Sequence, residues 1–195
     1  MRSRMFRILA LFLPLIVAGA SAAPQVPRPS PEFAINMPSG GQVLLSQHRG
    51  KVVAMIFILT TCPHCQDTTV LLSRLQREYG PRGFQVLQSA FNDMAGMLVP
   101  DFVNRFKPAF PVGYNNRESV MEYLQLSPMF RTYVPLIVFV DRKGVIRAQH
   151  GGEEDFFKVE QQEKNFRTMI ESLLKEDSAT GLSKKPAPRA RKKVS

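Results

Sequence analysis

Tryptophan is absent from the 195 residues, and cysteine occurs only twice, as Cys62 and Cys65. That scarcity argues against a structural zinc site, which takes four ligands, usually two cysteine pairs or a pair with two closely spaced histidines. The histidines are His48, His64 and His150; only His64 is near the pair, and it lies between the cysteines, poorly placed to share their metal. Acidic residues are missing from both ends of the chain. Residues 1–22 hold Arg2, Arg4 and Arg7, and residues 178–195 hold six basic residues. What remains, residues 23–177, carries 17 basic and 16 acidic side chains. The net charge of +10 therefore belongs to the ends, and a nucleic-acid-binding domain does not follow from it.

The N-terminus reads as an export signal. After the arginines comes an apolar run, Ile8 to Ala20, then the small residues Ala20-Ser21-Ala22 or Ser21-Ala22-Ala23. The run is short of the roughly 20 residues of a spanning helix, so a cleaved signal and an exported, periplasmic protein are expected. An uncleaved membrane anchor is the alternative. No cysteine follows the signal, which argues against a lipidated N-terminus. The expected organisation is a signal peptide over 1–22, a linker over 23–31, a folded domain over 32–177 and a disordered basic tail over 178–195. The tail, poor in apolar residues and containing Pro186 and Pro188, is expected to be solvated or to contact an acidic surface.

Two residues separate Cys62 from Cys65. A bridge closing so small a loop removes little chain entropy, so the pair makes a poor staple. It makes a good redox switch: one thiolate attacks a disulfide, and the other resolves the mixed disulfide from close range. Lys51–Leu59 reads as a buried central strand. Beyond the pair, Val70, Leu71, Leu72, Leu75 and Tyr79 predict one helical face, ended by Gly80-Pro81. The pair thus falls where a strand turns into a helix. Cys62 would sit at the helix N-terminus, where free N–H groups and the dipole stabilise a thiolate, with Pro63 at the first helical position. His64 could stabilise the same thiolate by a hydrogen bond or by charge, which would make the pair a stronger oxidant.

Phe57-Ile-Leu-Thr-Thr-Cys-Pro-His-Cys65 resembles the active-site strand and turn of the thioredoxin-like superfamily. The likeness covers roughly residues 32–176. Phe33–Asn36 with Val43–Ser46 is similar to the N-terminal hairpin of its TlpA/ResA-like and peroxiredoxin-like branch. Phe84–Ala90 looks like the next strand. Phe102–Phe106, Phe110–Val112 and Val120–Leu124 resemble that branch's helix–strand–helix insertion. Tyr133–Asp141 looks like the segment that holds the family's cis-proline, with Arg142-Lys143-Gly144 as a hairpin turn.

The resemblance implies an α/β thioredoxin-like fold: a central mixed sheet flanked by helices, with an N-terminal hairpin extension and a helix–strand insertion. It implies a thiol–disulfide oxidoreductase without a cofactor, in which Cys62 is the nucleophile and Cys65 resolves. Val134 and a cis Pro135 would present backbone to an extended substrate, with Thr61 alongside. Expected partners are exported protein substrates and a membrane or periplasmic redox partner.

Three departures bear on direction. Thr61 replaces a common tryptophan, no acid stands near Ile56, and Thr68 occupies the place of a glutamate found in reductive ResA-type members, with Asp67 adjacent. Cys-Pro-His-Cys is instead similar to the DsbA-type oxidant motif, so an oxidant or isomerase is favoured. A reductase, for instance in cytochrome maturation, is one alternative. Peroxide reduction is another, although the proline of the peroxiredoxin motif is missing. Copper delivery through the cysteines and His150 is a third; His150 and His48 are otherwise expected at the surface or in caps. The last helix is expected over Phe156–Leu174, with Val159, Phe166, Met169, Ile170, Leu173 and Leu174 inward and Glu153, Glu154 and Asp155 at its start.

Overall fold

The computed structural model describes residues 24–181 other than 128 and 130. The expected signal peptide and the basic tail from residue 182 onward lie outside the described residues. No described helix is long and apolar enough to cross a membrane.

Eight strands form one sheet. They are β1 (Arg28–Pro29), β2 (Ala34–Asn36), β3 (Gln42–Leu44), β4 (Val52–Ile58), β5 (Phe84–Ala90), β6 (Val112–Tyr114), β7 (Leu136–Val140) and β8 (Val145–His150). Their spatial order is β1-β8-β7-β4-β5-β6-β2-β3. β4 runs parallel to β5 and antiparallel to β7. The helices are α1 (Pro63–Tyr79), α2 (Ala95–Phe106), α3 (Arg117–Leu124) and α4 (Val159–Gly181).

β4 is central because all seven of its residues can be buried, and all are. Its alternation divides the core. Val52, Ala54, Ile56 and Ile58 face the side packed by Leu72 and Leu75 of α1 and by Phe166 and Ile170 of α4. Val53, Met55 and Phe57 face Val120, Met121 and Leu124 of α3, together with Phe33 and Ile35 of the hairpin. Each large apolar side chain fully buried in this way contributes roughly 1.5–3 kcal/mol.

Five expectations are corrected. The expected linker contains a paired strand: β1 pairs with β8, and the Arg28 guanidinium donates to the Tyr123 carbonyl at 3.1 Å and to Gln149 Oε1 at 3.0 Å. Val70 is 46% exposed; it precedes Leu72 by two residues, more than half a helical turn, and so faces away. Val159 opens α4 and is 84% exposed. Glu153, Glu154 and Asp155 precede that helix, with Asp155 in a short 3-10 turn, and Glu160 is the acid in its first turn. α4 also continues to Gly181, beyond the boundary expected at residue 177.

Candidate active site

β4 ends at Ile58, and the chain turns through Leu59–Thr61 into α1. The turn is held by side chains the sequence did not single out. Asn92, just past β5, accepts both the Thr60 N–H at 2.9 Å and the Thr60 hydroxyl at 3.2 Å. Gln66 Nε2 donates to the Thr60 carbonyl at 2.9 Å. The Cys62 N–H donates to the Leu59 carbonyl at 3.1 Å.

Cys62 is the N-cap of α1, with extended backbone, and Pro63 follows at the first helical position. Its Sγ accepts the Cys65 N–H at 3.4 Å. The sulfur thus occupies the place where helix N–H groups point at an anion. Cys62 is half-buried and Cys65 is fully buried. Burial pushes the Cys65 thiol well up, and its hydrogen bond and charge interaction with Cys62 act in the same direction. Thr61 and Pro63 are exposed at the rim.

His64 is half-buried in the first turn of α1. Its ring stands edge-on to Phe157, centroids 5.9 Å apart. Its Nε2 is buried without a hydrogen-bond partner, and among the described residues no hydrogen bond joins the imidazole to Cys62. Thr68 is fully buried; its hydroxyl donates to the His64 carbonyl at 2.8 Å and accepts Gln162 Nε2 of α4 at 2.7 Å. A neutral pair therefore occupies the side of α1 just behind the motif. Asp67 is exposed on the outer face.

The Val134–Pro135 peptide bond is cis. Leu136 pairs with Phe57, so Pro135 stands one step along, at the end of β4 from which Cys62 follows. Val134 and Cys62 pack on the same core. Gly152 backs this turn: its N–H donates to the Tyr133 carbonyl at 3.1 Å, and a Cβ there would lie 2.5 Å from the Val134 oxygen. Only glycine permits that approach. Beside it opens a cavity of about 410 Å³ lined by Arg131, Tyr133, Leu136, His150 and Glu154, among others.

His150 is neither a plain surface residue nor a cap. Its ring lies flat on Phe156, centroids 3.9 Å apart, and its Nδ1 meets Glu154 Oε2 at 2.7 Å. His48 is also half-buried, and burial lowers its imidazole, with Lys51 adding to the shift. Among the described residues no group of three or more His, Cys, Asp or Glu side chains is placed to hold a metal ion.

Asn92, Gln66, Gln162, Phe157 and Gly152 carried no motif signal.

The model of the AhpC/TSA family matches residues 26–149. The thiol-disulfide oxidoreductase ResA of Bacillus anthracis is 23% identical over 130 residues, spanning 67% of this chain and 72% of that protein. The thioredoxin-like protein YneN of Bacillus subtilis is 27% identical over 130 residues, spanning 63% and 69%. Among solved structures, a thiol:disulfide interchange protein of the thioredoxin family from Chlorobium tepidum superposes with a TM-score of 0.63 at 20% identity, covering 76% of this chain and 97% of that one. The structural likeness shows the thioredoxin-like fold.

Proposed function

The chain belongs to the AhpC/TSA family, and from that premise we propose that it is an exported thiol–disulfide oxidoreductase acting on protein thiols through Cys62 and Cys65. One observation carries the reading most: a half-buried cysteine at a helix N-cap, with a buried second cysteine one turn behind it. The named activity of the ResA relatives and the arginine-led apolar N-terminus support it.

In the oxidising direction, a substrate thiolate attacks Cys62 Sγ of the Cys62–Cys65 disulfide. The S–S bond breaks, and Cys65 leaves with the electron pair and takes a proton. A second substrate thiolate then attacks the substrate sulfur, and Cys62 leaves as a thiolate. Two electrons have passed from substrate to protein. The helix N-terminus stabilises that departing thiolate, and burial keeps Cys65 protonated. Stabilising the Cys62 thiolate favours the dithiol form, hence an oxidant or isomerase. Thr68 and Gln162 supply no carboxylate to draw the Cys65 proton, which weighs against the reductase reading. Val134 and the cis Pro135 would align an extended substrate beside Cys62, by main-chain hydrogen bonding. Thr61 and Pro63 would border it.

Equilibration with a glutathione buffer reads the potential. An oxidant gives a value far above that of thioredoxin, about −270 mV; a value near or below it sinks the oxidant reading. Cys65→Ala is expected to accumulate mixed disulfides on Cys62 with exported proteins, released by a dithiol. Consumption of peroxide with a dithiol donor would instead favour the peroxidase reading.

A further inference from the structure

Gln88 is anomalous. It sits in the middle of β5, fully buried, paired in register with Ile56 of β4 on one side and Val112 of β6 on the other. Residues paired across parallel strands share a face. Gln88 therefore points to the side where Ile56, Leu72, Ile137 and Cys65 form the core. An apolar side chain would satisfy that packing. A buried amide costs free energy unless it is paired, so its presence there calls for a use.

Its one side-chain hydrogen bond among the described residues leads to the redox pair. Thr69 Oγ1 lies 3.1 Å from Gln88 Oε1 and 2.8 Å from the Cys65 carbonyl oxygen. A hydroxyl has a single hydrogen. Spent on the nearer Cys65 carbonyl, it leaves the Thr69 oxygen as an acceptor, so Gln88 must turn its NH₂ toward Thr69. Gln88 Nε2 otherwise stands buried without a partner. Turned, the amide donates to the hydroxyl, which donates to the carbonyl of Cys65, a chain of bonds polarised in one direction. Gln88 is itself held by its backbone N–H on the Pro111 carbonyl at 3.1 Å.

We propose that Gln88 and Thr69 are positioning residues for Cys65: they fix its backbone, and so aim its sulfur at Cys62, in the step that interconverts the mixed disulfide and the Cys62–Cys65 bond. The inference rests on the exchange chemistry proposed above. In the direction easiest to time, the Cys65 thiol loses its proton to solvent and attacks Cys62 Sγ. The Cys62–substrate bond breaks, and the substrate leaves as a thiolate. Initial attack by Cys62 does not use Cys65 Sγ and is independent of the pair.

The test uses the reduced protein and dithio-bis-nitrobenzoate, a disulfide whose thiolate is coloured. Attack by Cys62 releases a first thiolate, and resolution by Cys65 releases a second. In Thr69→Val and in the volume-conserving Gln88→Met, the second phase is expected to slow roughly tenfold relative to the first, a typical size for lost alignment. Thr69→Ser keeps the hydroxyl and restores the ratio. Equal slowing of both phases, or an unchanged second phase, overturns the proposal; should Thr69→Val not fold, Gln88→Met and Thr69→Ser decide. Failure of the unsubstituted protein to release the second thiolate would instead overturn the exchange function itself.

Discussion

Cys62 is half-buried and Cys65 fully buried, so the two sulfurs of one motif meet different surroundings. A thiolate is costly where water is excluded, and the Cys65 thiol is accordingly raised. In the mixed disulfide the Cys62 charge is gone, but burial, the larger cause, remains. Raising a thiol favours its protonated form, so at any given pH less of Cys65 is the attacking thiolate. Its resolving step should therefore keep accelerating, about tenfold per pH unit, past the pH of roughly 8.5 at which an ordinary thiol levels off. Stopped-flow measurement of the second thiolate release between neutral and alkaline pH checks this; a plateau near the ordinary thiol value would refute it. At this scale the sequence was legible for Cys62, Pro63 and Cys65, because a cap and a first-turn proline are local properties. It was less legible for His64. Between two cysteines it was expected beside the Cys62 sulfur; its edge-on contact with Phe157, across 93 residues of chain, had no local signal.

The elements around the motif converge by close approach. Gly152 follows β8 and presses on the Val134–Pro135 turn, where a Cβ would meet the Val134 oxygen at 2.5 Å. Gly152→Ala is expected to push that turn away from its place beside Cys62. The variant should lose roughly 1–3 kcal/mol, the usual cost of overpacking, and should exchange disulfides more slowly. Thermal unfolding and the coloured-thiolate assay measure the two effects; an alanine tolerated in both would show that the turn yields freely. Periodicity located β4, β5 and the body of α1, since burial of alternate or helically spaced residues is written along the chain. It misjudged the ends. Val70 and Val159 fit an apolar pattern, yet one faces away from the helix contact and the other begins its helix in solvent.

Across the whole molecule, the sheet is closed on one edge by a strand of two residues. β1 lies against β8, and Arg28 reaches inward to the Tyr123 carbonyl and Gln149. Burial lowers the Arg28 guanidinium, with the Tyr123 interaction opposing. Arg28→Met keeps the stem but leaves the Tyr123 carbonyl without that donor. The expected cost is about 1–3 kcal/mol, read as a lower denaturant midpoint with an unchanged redox potential. A shifted potential would mean that this edge communicates with the cysteines.

By itself, the sequence determined the chemistry-bearing pair, the buried strand before it and the helix after it. These follow from short-range facts: spacing, capping and periodic burial. The tertiary structure decided what surrounds the pair. Gln162 meets Thr68 across 94 residues, Asn92 meets Thr60 across 32, and Gln88 meets Thr69 across 19. None of these side chains carries a local signal, because each finds its hydrogen-bond partner only when separate elements pack. It also turned residues expected to be linker into an edge strand, since a two-residue pairing gains its stability from the sheet it joins.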